Sequence, residues 1–126
     1  MIMLLQLDGE VVVNKFKITG NKTSIGRRIE SDITIDDISV SGDHATLEVE
    51  NSVEYEGEHN YYIHDLGSTN GTFVNESEAK RQRLKHNDLI RIGWVNFRFY
   101  DDSLDDALEK TSKIKKSWIP GVFYSK

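Results

Sequence analysis

Three short stretches carry the side chains that could do chemistry. Ser24-Ile25-Gly26-Arg27-Arg28 sets two guanidinium groups behind a glycine, and Val40-Ser41-Gly42-Asp43-His44-Ala45 offers a hydroxyl, a carboxylate and an imidazole. The third runs from Asp65 to Asn75; within it Gly67 and Gly71 bracket Ser68, Thr69 and Asn70. Glycine permits positive φ and the close approach of another backbone. Ser, Thr and Asn donate and accept hydrogen bonds close to their own main chain. Such a loop can be stiff and still show a ligand several polar groups at once, although on its own it is also the composition of an ordinary tight turn. Ser41, His44, His64 and Asp65 supply the letters of a catalytic triad, but there is no Gly-x-Ser-x-Gly elbow. The Gly67–Thr72 turn lacks the Gly-Lys-Ser/Thr of a P-loop. The four histidines are scattered without metal-ligand spacing. These residues point to a binding site rather than to catalysis, with no cofactor and no metal.

Gly-Arg, then Ser-x-x-His, then Ser-Thr-Asn-Gly-Thr resemble, in order and in interval, the three signature blocks of the forkhead-associated (FHA) domain. The apolar alternation around them extends the resemblance over roughly Met1 to Tyr100. The resemblance implies a module that binds phosphothreonine in a partner protein. A phosphothreonine carries close to two negative charges and three acceptor oxygens, so its site needs a fixed cation and neutral donors. By the resemblance, Arg27 contacts the phosphate, and its guanidinium suits that role as a planar fork of donors that keeps its proton. Ser41 donates its hydroxyl to the phosphate, Thr69 adds its hydroxyl or its backbone N–H, and Asn70 holds the ligand main chain. Gly26 lets the strand turn so that Arg27 points into the site, while Gly67 and Gly71 give the second loop its backbone freedom. His44 takes a buried, structural role that ties neighbouring loops together.

Gly42 departs from the family pattern, in which Arg, Lys or Asn often follows the serine and touches the ligand. One contact is then missing, and Arg28 is the auxiliary residue placed to compensate. Asp43, beside the site in sequence, is expected to point away. Selectivity beyond the phosphothreonine is expected from Ser39 to Asp43, the key turn and Gly93 to Asn96, whose side chains name no preferred neighbour.

The elements that must position these residues are short strands with frequent turn signals. Strands are expected at Met1 to Leu7, Val11 to Ile18, Lys22 to Ile25, Ile33 to Ile35, Ala45 to Glu50, Tyr61 to Asp65, Phe73-Val74, Leu89 to Ile92 and Val95 to Tyr100. In the Ala45 strand, Thr46, Glu48 and Glu50 should form the solvated face. Asn51 to Asn60 reads as an acidic hairpin connection, and Glu76 to Asn87 as a polar, basic segment with Leu84 packed inward. The pattern predicts an all-β, FHA-like β-sandwich of two twisted, mainly antiparallel sheets with a short C-terminal helix and apolar tail. Residues 1–101 make the FHA domain and 102–126 the appendage.

In that appendage, Leu104, Ala107, Leu108, Thr111 and Ile114 follow helical spacing, with Ser103 as cap. Trp118, Ile119, Val122, Phe123 and Tyr124 then need something to cover. Docking on the domain's own sandwich is one way to cover them. The alternative is a phosphate-independent interaction or self-association module that uses this tail.

At 126 residues with 37% hydrophobic and 29% charged content, the chain suits one small domain. A net charge of −5 argues against nucleic acid, so any anion site must be a local cluster acting against the overall field. The absence of cysteine excludes disulfides, thiolate zinc sites and cysteine nucleophiles. Met1 to Leu5 is too short for a signal h-region and no stretch reaches membrane-spanning length, so no membrane is expected and a cytoplasmic location is the default.

Overall fold

A computed structural model describes residues 1–51 and 59–103. The chain forms β1 (Ile2–Asp8), β2 (Val11–Lys17), β3 (Lys22–Gly26), β4 (Ile33–Thr34), β5 (Ala45–Asn51), β6 (His59–Asp65), β7 (Thr72–Val74), β8 (Ser77–Glu78), β9 (Arg81–Leu84), β10 (Leu89–Ile92) and β11 (Val95–Asp101). One sheet has the order β2-β1-β11-β10-β7-β8 and the other β4-β3-β5-β6-β9. All ladders are antiparallel except β3 with β4. This is the expected all-β sandwich.

Period-2 alternation puts one face of each central strand into the core. Leu4 of β1 lies opposite Phe99 on one side and Phe16 on the other. Across the sandwich, Leu47 of β5 lies opposite Ile63 of β6 and Thr23 of β3. Leu4, Leu47, Ile63, Ile92 and Phe97 are all fully buried. Tyr61 of one sheet meets Phe99 of the other with ring centroids 5.5 Å apart, a tilted contact that joins the two layers. Burying each large apolar side chain stabilises the fold by roughly 1.5–3 kcal/mol.

Several local expectations change. The segment Glu76 to Asn87 contains β8 and β9. Both are outer strands of their sheets whose residues are exposed apart from Leu84, so they carry no alternation to reveal them. β6 begins at His59, two residues before the expected Tyr61. Thr46 is buried, although the alternation assigns it to the solvated face. Its hydroxyl donates to Glu48 Oε2 at 2.9 Å, and the same carboxylate group holds His64 Nδ1 at 3.1 Å and Arg81 Nε at 3.3 Å. Arg81 in turn lies 4.0 Å over the Tyr62 ring. A polar lattice therefore roofs this face and excludes water from Thr46.

Asp101 ends β11 and accepts both the backbone N–H and the hydroxyl of Ser103. The acidic connection at 52–58, the helix beyond Ser103 and the Trp118–Tyr124 tail lie outside the described residues. Among the described residues no helix is long and apolar enough to cross a membrane.

The packing predicts a steep contrast in mutational cost. Phe97→Ala should destabilise the domain by about 3–5 kcal/mol, through lost burial and the cavity left behind. Val12→Ala, on an exposed stretch of β2, should change stability by no more than about 0.5 kcal/mol. Urea denaturation of the two variants checks the contrast.

Candidate functional site

Four connections meet at one end of the sandwich: those after β3, before β5, between β6 and β7, and between β10 and β11. Backbone bonds stitch them together. Arg27 N–H donates to the Ser41 carbonyl at 3.0 Å, His44 N–H to the Ile25 carbonyl at 3.0 Å, and Gly93 N–H to the Gly71 carbonyl at 3.2 Å. The three stretches singled out from sequence are thus adjacent in space.

His44 is fully buried and both ring nitrogens are used. Nδ1 accepts the Ser41 backbone N–H at 3.0 Å. The proton therefore sits on Nε2, which donates to the Gly71 carbonyl at 2.9 Å. The Asp65 carboxylate, 4.0 Å from Nε2, favours the same tautomer. The ring thus bridges the Ser41 loop and the glycine-bracketed turn.

Asp65 organises the glycine-bracketed turn. Its carboxylate accepts the backbone N–H groups of Gly67 and Ser68 at 3.0 and 3.1 Å, and the hydroxyls of Ser68 and Thr72 at 2.5 and 2.7 Å. Ser68 Oγ then accepts the Gly71 N–H at 3.0 Å. Gly67 and Gly71 have φ of 76° and 85°, the left-handed region in which a Cβ is strained. Burial pushes the Asp65 carboxyl up, but the hydrogen bonds from Ser68, Thr72 and Gly67 outweigh it and hold the pKa below the ordinary carboxylate value.

Gly26 is needed for a different reason from the one expected. It has no positive φ; instead, a Cβ on it would lie 2.0 Å from the Gly42 carbonyl oxygen. The β3 end and the Ser41 loop touch backbone to backbone, and that contact carries Arg27 to the site.

After this framework is built, a specific set of groups remains unspent. Arg27 is exposed, and no acceptor for its guanidinium is present among the described residues. Ser41 Oγ accepts the Thr69 backbone N–H at 3.0 Å, which leaves the Ser41 hydroxyl proton free to donate. The same bond consumes the Thr69 N–H, so of the two groups expected from Thr69 only the hydroxyl is available. Asn70 gives one amide N–H to the Ser39 carbonyl at 2.9 Å and keeps its Oδ1 and second N–H.

Arg28 lies across Gly42, where a Cβ would meet its Cγ and Nε at 3.4 Å. Its Nε donates to Asp43 Oδ2 at 3.2 Å. Asp43 is thus directed to Arg28, and the room that a side chain at position 42 would take is filled by Arg28.

Ser39, Asp37 and Trp94 flank these groups; Ser39 and Trp94 fall in the stretches from which selectivity is expected, and Asp37 lies outside them. Ser39 is buried; its N–H and hydroxyl donate to Asp37 Oδ1, and its Oγ accepts the Trp94 N–H at 2.9 Å. Ile38 and Trp94 are 90% and 66% exposed, and both are keyed through Ser39 to Asn70. The Asp37-x-Ser39 spacing, an Asx-type turn, is the local signal for this corner. Trp94, which lies 55 residues from Ser39, has none.

The FHA domain family profile matches residues 23–93, and the chain belongs to this family. It is similar to the oxoglutarate dehydrogenase inhibitor of Corynebacterium efficiens, with 39% identity over 79 residues, 63% of this chain and 51% of that protein. It is also similar to the glycogen accumulation regulator GarA of Mycolicibacterium smegmatis, with 36% identity over 99 residues, 75% of this chain and 58% of that protein. The chain spans little more than half the length of these two relatives. A structure solved in a study of phosphothreonine-dependent FHA domain interactions superposes with a TM-score of 0.67 at 25% identity, covering 79% of this chain and 95% of the other.

The Asp65 hub makes stability depend on pH in a defined direction. Its folded pKa lies below the unfolded value of about 3.9, so its contribution is complete above that value and is lost as pH falls through the folded pKa. Asp65→Asn should cost at least one charge-assisted hydrogen bond, about 1.5–3 kcal/mol at pH 7, and should flatten the acid limb. Chemical denaturation of both proteins between neutral and acid pH measures both effects.

Proposed function

We propose that this chain is a phosphothreonine-reading module that docks on a threonine-phosphorylated partner protein. The observation that carries the reading is the set of groups left over once the loops have satisfied one another. It comprises the Arg27 guanidinium, unpaired among the described residues, donor hydroxyls on Ser41 and Thr69, and half of the Asn70 amide. Cation and hydroxyls match a dianion with three acceptor oxygens, and the amide matches a peptide main chain. Arg28, held across Gly42 by Asp43, is the auxiliary positive charge. Family membership and the likeness to a structure studied for phosphothreonine-dependent interactions support threonine as the phosphorylated residue.

The geometry favours binding over catalysis. His44 Nδ1 accepts the Ser41 backbone N–H and not its hydroxyl, and both imidazole nitrogens are spent on main-chain groups. Ser41 therefore has no base beside it. His64 sits with Glu48 and Arg81 on the outer face of the five-stranded sheet. The letters of a triad are present without its arrangement.

Calorimetric titration with matched phosphothreonine, phosphoserine and unmodified peptide libraries tests the reading. Wild type should bind the phosphothreonine library saturably. Arg27→Ala should weaken binding at least about tenfold, the loss of one charge-assisted contact. Arg28→Ala should weaken it by a smaller factor, and adding Gly42→Arg to that variant should restore it. Equal binding of phosphorylated and plain libraries by the folded wild type would sink the proposal.

A further inference from the structure

The free edges of the two sheets open on the same side of the sandwich. β2 is the terminal strand of the six-stranded sheet and β4 that of the five-stranded sheet. Between them lies a cleft of about 420 Å³, walled by Lys15, Phe16 and Lys17 of β2, Lys22 of β3, and Asp32. We infer that this cleft is a second binding site, which takes an extended acidic segment of a partner polypeptide by adding it as a strand along the free edge of β2.

The charge balance of the cleft opposes that of the molecule. Lys15, Lys17 and Lys22 are exposed, and none of the ion pairs among the described residues uses them. Glu48, the cross-strand neighbour of Lys22, is engaged by Thr46, His64 and Arg81. Asp32, the single carboxylate in the wall, accepts the N–H and hydroxyl of Ser24 at 2.9 and 3.1 Å. Three lysines without ion-pair partners among the described residues thus line one cleft on a chain whose net charge is −5.

Lysines on an outer strand commonly serve only to discourage edge-to-edge pairing. That accounts for Lys15 and Lys17. It does not account for Lys22, which comes from the other sheet and lines the same cleft. β2 has no strand on its outer side among the described residues, so half of its backbone N–H and C=O groups point outward as a ready ladder. Lysine is a mobile point charge without the planar fork suited to a phosphate, and so it fits carboxylates spaced along a strand. The overall negative charge disfavours a nucleic acid in the same place.

The inference is independent of the phosphothreonine reading, but the geometry links the two sites. Lys22 and Gly26 are the two ends of β3, about 13 Å apart at the rise of a strand. One partner chain can span that distance, and engaging both sites would raise its effective local concentration.

The test uses the full chain, isotopically labelled, and an unphosphorylated peptide of alternating Glu and Val, followed by amide chemical-shift mapping. Saturable shifts along β2 and at Lys22 to Thr23 are expected. Binding should weaken at least about tenfold in Lys15→Gln/Lys17→Gln/Lys22→Gln and fade at 1 M salt, where the screening length is about 3 Å. Arg27→Ala should leave it unchanged. A Lys/Val peptide of the same length should not bind. Shifts confined to the phosphate loops, binding lost in Arg27→Ala, or binding untouched in the folded triple variant would each overturn the inference. So would a single-stranded oligonucleotide that occupies the cleft more tightly than the acidic peptide.

Discussion

The recognition end of this protein depends on one buried imidazole that must satisfy two loops at once. His44 accepts from the Ser41 main chain and donates to Gly71, and neither nitrogen can find water in place of a lost partner. A buried polar group without a partner costs several times what a typical hydrogen bond contributes. The spacing between the Ser41 loop and the glycine-bracketed turn is therefore tightly set. The Gly71 carbonyl also accepts the Gly93 N–H, which brings the β10–β11 turn under the same constraint. Loops that alone would sample many conformations are held by a chain of short, directional contacts, and the Ser41 and Thr69 hydroxyls inherit that rigidity.

An anion site on an acidic protein also needs its own carboxylates kept away from the ligand. Four aspartates near the recognition loops are engaged elsewhere. Asp65 takes donors from the turn it organises, Asp37 takes Ser39, Asp32 takes Ser24, and Asp43 takes Arg28. The hydrogen bonds from Ser39 also hold the Asp37 pKa below its ordinary value, so it remains an acceptor. Among the described residues no ion pair holds Arg27, so its charge is available within the negative field of the chain.

The sequence made legible what depends on local repetition. The alternation in β1, β5 and β11 reveals strands and their buried faces, because one side of each meets the core. The Gly-Arg, Ser-x-x-His and Ser-Thr-Asn-Gly-Thr stretches mark the residues that meet at one end. β8 and β9 were not legible, since outer strands with solvent on most sides need no apolar period. The burial of Thr46 was hidden because its roof comes from Arg81, on another strand 35 positions away in sequence. The need for glycine at position 26 was visible, but its cause lies in a carbonyl 16 residues further on. The division of Ser41, Thr69 and Asn70 into spent and unspent groups is likewise a property of contacts 28 and 31 residues apart. Sequence spacing carries no record of such contacts.

β1 and β11 lie side by side and antiparallel, with Ile2 opposite Asp101, and the Met1 ammonium meets Asp102 at 2.8 Å. The chain therefore enters and leaves this domain at one pole. The β10–β11 turn sits at the opposite pole, roughly 20 Å away along a seven-residue strand. A body built this way can be spliced into a longer polypeptide through a single narrow stalk, with little disturbance to its interior. The four connections gathered at the far pole then face away from that stalk, like a bulb on a stem.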